Sequence, residues 1–175
     1  MDVANILSEC GVTDHEILEA ALLHDTVEDT GATLDQIEEM FGKKVRQYVS
    51  EVSDNKSLGK VERKKLQIEH AKHISPGGKL IKLADKLSNL RSIIGDGDDA
   101  PWDREVCQGY FIWAKKVCEN SYGVNKKLDD LLKDLFINGK LNMEGGEYPV
   151  IPEGDEDENL LKYYEKIDPS GKKSN

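Results

Sequence analysis

Residues 21–30 read Ala-Leu-Leu-His-Asp-Thr-Val-Glu-Asp-Thr, and no other stretch restricts the chain so sharply. An apolar run, residues 20–23, passes straight into His24, Asp25, Glu28 and Asp29. On a helix, His24 and Glu28 stand four apart, as do Asp25 and Asp29. Each pair then stacks on one face, and all four share a patch at the end of a buried segment. Imidazole and carboxylate side by side can reach one divalent ion, because that donor set suits cations such as Mn, Zn or Fe. Glu28 and Asp29, one turn on, would stand where an attacking water or a leaving group is handled. The same residues also fit a plain charged helix end that includes a histidine, and this stretch alone does not separate the two readings.

A second stretch, Lys82-Leu83-Ala84-Asp85-Lys86-Leu87-Ser88-Asn89-Leu90-Arg91, lies inside a core-type helix. Leu80, Leu83, Ala84, Leu87, Leu90 and Ile94 follow helical spacing. Asp85 falls within that apolar stripe. A carboxylate among Leu and Ala is costly to bury unless it is paired or binds a metal. A salt bridge to Lys82 or Lys86 is the simpler account of it.

Taken together, His24-Asp25 and Asp85 resemble the HD-domain phosphohydrolases. The words AALLHDTVEDT, FGKKVRQYVSEVSDNKSL and KLIKLADKLSNLR are similar to the RelA/SpoT hydrolase group, and within it to the small metazoan SpoT homologues. The resemblance runs over about residues 3–136. It implies an all-α fold, an HD-domain helical bundle. It also implies removal of the 3′-pyrophosphate from guanosine 3′,5′-bis(diphosphate) (ppGpp), giving GDP and pyrophosphate, with one bound Mn ion. By that likeness His24, Asp25 and Asp85 are metal ligands, and Glu28 and Asp29 are the catalytic acidic pair. Lys60, Asn89 and Tyr110 fall where the nucleotide is bound.

Two departures accompany the likeness. The family's fourth metal ligand, a histidine just upstream of the segment matching Val3, is not in this sequence, nor is the preceding helix with its basic substrate contacts. The expectation is therefore an N-terminally shortened chain. In addition, Arg104 stands one place out of register with a family arginine, and Ser88 occupies a position where a tyrosine is common. Two further functions stay open: hydrolysis of another nucleotide bearing a 2′- or 3′-phosphate, such as NADPH, and a catalytically impaired binding or regulatory variant.

Composition narrows the partners. With 175 residues there is enough chain for one domain with a real core. A net charge of −10 argues against passive attraction to nucleic acid or an anionic membrane. A phosphorylated small-molecule substrate then needs local Lys/Arg or a metal. Cys10, Cys107 and Cys118 are an odd set without close spacing, which suits reduced cytoplasmic thiols. No apolar run is long enough to span a membrane, and the start shows no secretory pattern.

Along the chain, spacing predicts helices over residues 2–9 and 14–28, the latter with Ile17, Leu18, Ala21 and Leu22 inward and His15 at the surface. A capping box of Thr33 and Gln36 opens the next helix, whose apolar face is Leu34, Ile37, Met40 and Phe41. Gly42 closes it. Residues 43–54 carry Val45, Tyr48, Val49 and Val52 at helical spacing. In residues 60–73 the run Lys60, Arg63, Lys64, Lys65 reads as a solvated face. Helices over 102–120 and 125–136 follow, with Tyr110 and Trp113 available as core aromatics, and no strand is expected. The domain is expected to end at residue 139. Residues 141–175 hold nine acids against four lysines and are interrupted by Pro149, Pro152 and Pro169. Residues 140–175 are accordingly expected to be a disordered acidic tail, with at most a short helix around residues 160–164.

Overall fold

The central element is α7, Pro76–Asp96, whose 21 residues pass through the middle of the molecule. The structure, a computed structural model, describes residues 3–170. Ser75 caps α7 by accepting the Gly78 amide at 3.2 Å, and Pro76 at the first position needs no amide partner. Leu83, Ala84, Leu87 and Leu90 of the predicted stripe are fully buried, Leu80 and Ile94 at its ends are half-buried, and Ile81, outside it, is fully buried as well.

Five helices lie within residues 3–52, and the first, second and fifth of them pack on α7. α1, Val3–Glu9, buries Val3, Ala4, Ile6 and Leu7. α2, His15–Leu23, is capped by Asp14 and buries Ile17, Ala20 and Ala21. Leu22, expected inward, is 62% exposed. Ile17, Ala20 and Ala21, spaced i, i+3 and i+4, form the inner face, and Leu22, one step of about 100° beyond Ala21, turns out to solvent. A four-residue turn of helix, α3, Thr26–Asp29, follows. α4, Leu34–Phe41, begins with the predicted capping box: Thr33 Oγ accepts the Gln36 amide at 3.2 Å, and the Gln36 side chain accepts the Thr33 amide at 2.9 Å. Ile37 alone is buried there, and Met40 and Phe41 are exposed where core was expected. Gly42, at φ 91°, turns α4 directly into α5, Lys43–Val52, a conformation that favours glycine. α5 crosses the start of α7 closely: a Cβ on Gly77 would run into the Tyr48 ring.

α6, Lys60–His70, has no fully buried residue and lies against α8, Arg104–Glu119. α8 buries Cys107, Tyr110, Phe111, Trp113 and Val117, and α9, Lys126–Asn138, closes the bundle against α7 and α8. The fold is mostly helical, as the resemblance implied.

Residues 140–170 do not form a disordered tail. β1, Lys140–Met143, pairs antiparallel with β2, Gly146–Pro149, so the chain carries one hairpin where no strand was expected. Glu144 (φ 54°) and Gly145 (φ 73°) make the two-residue turn, the pairing of positive φ values that matches strand twist. α10, Glu156–Ile167, then packs Leu160, Tyr163 and Tyr164 against the rest. The acids that suggested disorder are placed where a helix start favours them. Asp155 caps the helix, and Glu156 and Asp157 pair with Lys115 and Lys116 of α8 at 2.6 Å each. Residues 171–175, the end of the expected tail, lie outside the described residues.

The α8–α10 contact is close at one point, where a Cβ on Gly109 would overlap the Tyr163 side chain. Gly109→Ala is expected to destabilise the fold by about 1–3 kcal/mol through overpacking. A lowered urea midpoint checks this, and an unchanged one would mean that α10 is not held against α8.

Candidate active site

The predicted continuous helix over residues 14–28 is broken at His24-Asp25. α2 ends at Leu23, Asp25 sits at φ −95°, ψ −4°, and α3 starts at Thr26. The break matters chemically. On an unbroken helix, neighbouring side chains diverge by about 100°. Here His24 Nε2 and Asp25 Oδ2 come within 3.0 Å. From the buried face of α7, Asp85 Oδ1 reaches the same nitrogen at 3.4 Å. Two stretches about sixty residues apart thus deliver all three expected ligand side chains to one point.

The donor set suits a cation. His24 Nδ1 lies 2.7 Å from the Ala21 carbonyl oxygen, which can only accept, so the ring proton is on Nδ1 and the Nε2 lone pair faces two carboxylates. Such a cluster of acceptors repels itself unless a proton or metal ion lies between them. Burial disfavours a charged His24, yet the bonds to Asp25 and Asp85 outweigh it and hold its pKa up at about 10. Among the described residues no group of three or more His, Cys, Asp or Glu side chains is already arranged to hold a metal ion. These three close on one another instead, with the imidazole nitrogen at the middle.

Asp85 is fixed on its other side. Its Oδ2 accepts from Lys86 Nζ at 3.0 Å, and Asn89 Nδ2 donates to Oδ1 at 3.2 Å. Burial raises the Asp85 pKa, but Lys86 and His24 more than offset it and hold the carboxyl well below the usual range. Lys86, itself buried, is held above the usual lysine value by Asp85. The Lys86 pair expected from sequence and the ligand position are therefore the same carboxylate used at two oxygens.

These groups line a cleft of about 230 Å³, together with Glu28, Asp54, Lys64, Lys82, Tyr110 and Trp113. Glu28 Oε1 accepts the Asp54 backbone amide, and burial raises its pKa above the ordinary value. Asp29 is not brought into the lining. Its side chain is 65% exposed and pairs with Lys56 at 3.4 Å, while Lys56 also donates to the Glu28 carbonyl. Tyr110 is buried within the wall, and Asn89 stands exposed at the rim. Lys60 does not line this cleft but a neighbouring cavity.

The sequence reading passed over four contributors. Asp54, the last residue of the stretch with helical spacing, holds Glu28 through its backbone amide. Gln67 Nε2 in turn bonds Asp54 Oδ2. Lys82 was weighed only as a partner of Asp85, although its place three residues earlier puts it on the same face. Lys64 was assigned to a solvated run, but it turns inward, with Nζ 3.6 Å from the Trp113 ring centroid and 4.8 Å from that of Tyr110. Neither Lys64 nor Lys82 has a carboxylate ion-pair partner among the described residues, and burial lowers their pKa values to about 7 and about 8. The cleft therefore sets two readily recharged ammonium groups among its acids, a mixture that suits a phosphorylated ligand bound through a metal.

Lys64 gives a test with a defined sign. Between about pH 7 and pH 10.5 the unfolded chain holds the Lys64 proton and the folded one does not, so this residue's contribution to stability improves as pH rises through that window. Lys64→Met is expected to stabilise the metal-free protein by about 1 kcal/mol at pH 6–7, with the advantage fading toward pH 10. Thermal melts of both proteins at each pH give the difference. A constant offset would show that the Lys64 charge is not buried.

Known proteins resemble this chain over most of its length. The HD domain family profile matches residues 1–111. The human guanosine-3′,5′-bis(diphosphate) 3′-pyrophosphohydrolase MESH1 is 53% identical over 135 residues, covering 77% of this chain and 75% of that protein. A solved structure described as a metazoan ortholog of SpoT that hydrolyzes ppGpp superposes with a TM-score of 0.74 at 49% identity, covering 78% of this chain and 76% of the other. A Listeria monocytogenes protein structure superposes at 0.63 with 32% identity, covering 78% and 97%.

Proposed function

The chain belongs to the HD-domain family, and from that premise we propose that it is a metal-dependent hydrolase removing the 3′-pyrophosphate of guanosine 3′,5′-bis(diphosphate). The observation that carries the reading is the meeting of His24 Nε2 with Asp25 and Asp85 beside a buried Glu28. His24, Asp25 and Asp85 would hold the ion; their mixed nitrogen and oxygen donors accommodate Mn as well as Zn or Fe, and the choice of Mn follows the family resemblance. When bound, that ion supplies an activated water and neutralises charge on the phosphoryl oxygens.

The remaining chemistry falls to this chain's own side chains. Glu28, with a pKa raised by burial, is suited to take a proton from the attacking water. The Asp54 amide bonded to its Oε1 holds the carboxylate in one orientation. Lys82 and Lys64 regain full charge as phosphate enters and offset its field. As the water oxygen bonds to phosphorus, the bond to the ribose 3′-oxygen breaks and that oxygen takes up a proton, leaving GDP and pyrophosphate. Asn89 and Tyr110 bear on the nucleotide at the rim and wall. Asp29 acts through position: paired to Lys56, it anchors the short helix that carries Glu28.

The test is pyrophosphate release from guanosine 3′,5′-bis(diphosphate) by chelator-treated protein resupplied with Mn, Mg or Zn. Release restored best by Mn is expected. Absence of release with every ion would overturn the reading, and phosphate release from NADPH alone would reassign the substrate while keeping the site.

A further inference from the structure

Cleavage of a ribose ester expels an alkoxide, which leaves readily only when a proton reaches it as the bond breaks. Few groups in the cleft can supply that proton. In an in-line displacement the attacking and leaving oxygens stand on opposite sides of phosphorus. Glu28, set to serve the attacking water, therefore cannot also serve the leaving oxygen. Asp29 is outside the lining and paired with Lys56. Asp54 lines the cleft, but its Oδ2 accepts from Gln67, as an ionised carboxylate does. Lys86 is engaged by Asp85 at 3.0 Å and held above the usual lysine value, so it releases a proton poorly. Burial makes the Tyr110 hydroxyl a weaker acid than an ordinary tyrosine. Lys64 rests on the Trp113 ring, with Nζ 3.6 Å from the centroid.

Lys82 remains. It is only 6% exposed yet lines the cleft, and no hydrogen bond or ion pair holds its ammonium among the described residues. A buried ammonium without a partner costs the fold and gives it nothing in return. Its place three residues before Asp85 on α7 sets their Cβ atoms about 5–6 Å apart on one face. Its stem thus starts beside the reacting end of the cleft, on a different element from α3, which carries Glu28. We propose that the Lys82 ammonium donates the proton that the ribose 3′-oxygen takes up. The water oxygen bonds to phosphorus and its proton passes to Glu28. The bond from phosphorus to the 3′-oxygen breaks, its electron pair stays on that oxygen, and the proton comes from Lys82 Nζ. Lys82 then regains a proton from solvent and Glu28 returns one to it, so both end as they began. The inference rests on the proposed function and adds a proton transfer to the charge role given Lys82 there. The surroundings suit it: burial and Lys86 lower the Lys82 pKa to about 8 against the pull of Asp54, Asp85 and Glu28. His24, Asp25 and Lys64 complete the titratable lining around it. Lys82 is thereby a stronger acid than a free lysine and still mostly protonated at neutral pH.

Lys82→Ala is expected to lower turnover of guanosine 3′,5′-bis(diphosphate) by about 10²–10³-fold, the scale for a lost general acid. The loss should fall on kcat, with KM changing by less than about tenfold. Wild-type rate should fall on the alkaline side, where Lys82 has lost its proton, and Lys82→Ala should lose that limb while Lys64→Met keeps it. Added ethylamine should restore part of the Lys82→Ala rate. Guanidinium, equal in charge but holding its proton, should not. Mn affinity by calorimetry should not weaken, because a nearby positive charge has gone. Thermal melts establish folding, and Lys82→Met, which keeps the length of the side chain, serves as the second variant. Rescue by guanidinium as effective as by ethylamine would leave Lys82 as a charge alone and overturn the inference. A retained alkaline limb in both Lys82 variants, or weakened Mn binding, would overturn it as well. Wild type that releases no pyrophosphate removes the proposed reaction and this step together, whereas an active wild type matched by both Lys82 variants removes this step alone.

Discussion

Asp85→Asn is expected to lower pyrophosphate release by about a thousandfold, the scale on which losing a group aimed at transition-state charge acts. It is also expected to destabilise the protein by about 3 kcal/mol, for a different reason. The activity falls because Asp85 Oδ1 is one of the two carboxylate oxygens facing His24 Nε2, and an amide cannot supply the charge that holds a cation there. The stability falls because Lys86 Nζ, 3.0 Å from Oδ2, would remain buried with no countercharge. The two effects can be separated. Adding Lys86→Met to Asp85→Asn removes the stranded charge and should restore most of the stability with no recovery of activity or of Mn affinity by calorimetry. The pH course follows from the depressed Asp85 pKa: its contribution is present above about pH 4, the unfolded value, and is lost as the pH falls through the lower folded value. His24 runs the other way in the metal-free protein, stabilising fully below about pH 6.5 and losing that contribution as the pH rises through about 10. Wild-type Mn affinity and turnover in Asp85→Asn would remove Asp85 from the site.

How much of this was legible beforehand depended on whether a local pattern decided the outcome. The capping box of Thr33 and Gln36 and the apolar stripe of α7 are short-range signals, and both formed as written. The meeting of His24, Asp25 and Asp85 was implied by resemblance, and the geometry supplies the reason a two-letter motif suffices: a helix break lets adjacent side chains converge. That break was not legible, because the run from Ile17 to Glu28 keeps acceptable helical spacing and only tertiary placement favours ending α2 at Leu23. Lys64 was misread because a lysine in a charged run normally faces water. Here the rings of Trp113 and Tyr110, some fifty residues on, provide an inward surface for it. The C-terminal segment was misread because average acidity hid position. Its acids cap the start of α10 or pair with α8, and Leu160, Tyr163, Tyr164 and Ile167 keep helical spacing behind them.

Glu28→Gln is expected to cut turnover by about 10²–10³-fold, within the range for loss of a general base, while leaving the protein at least as stable as wild type. The pairing of those outcomes is the informative part. Burial raises the Glu28 pKa, so its carboxylate is a cost to the fold: its contribution is best below the unfolded value and is lost as the pH rises through the folded one. A glutamine keeps an oxygen for the Asp54 amide, the bond that positions this side chain, and removes the charge. Neutral pH is therefore where the variant should gain in stability and lose in rate. Mn affinity should change little, because Glu28 is not among the groups meeting at His24 Nε2. The acid limb of the wild-type rate profile, where a protonated Glu28 cannot accept a proton, should flatten in the variant. A structural role would give the reverse pattern, with melting temperature and rate falling together and the pH profile keeping its shape. Full turnover in Glu28→Gln would shift the proton transfer to Asp54, the remaining carboxylate that lines the cleft outside the proposed ligand set.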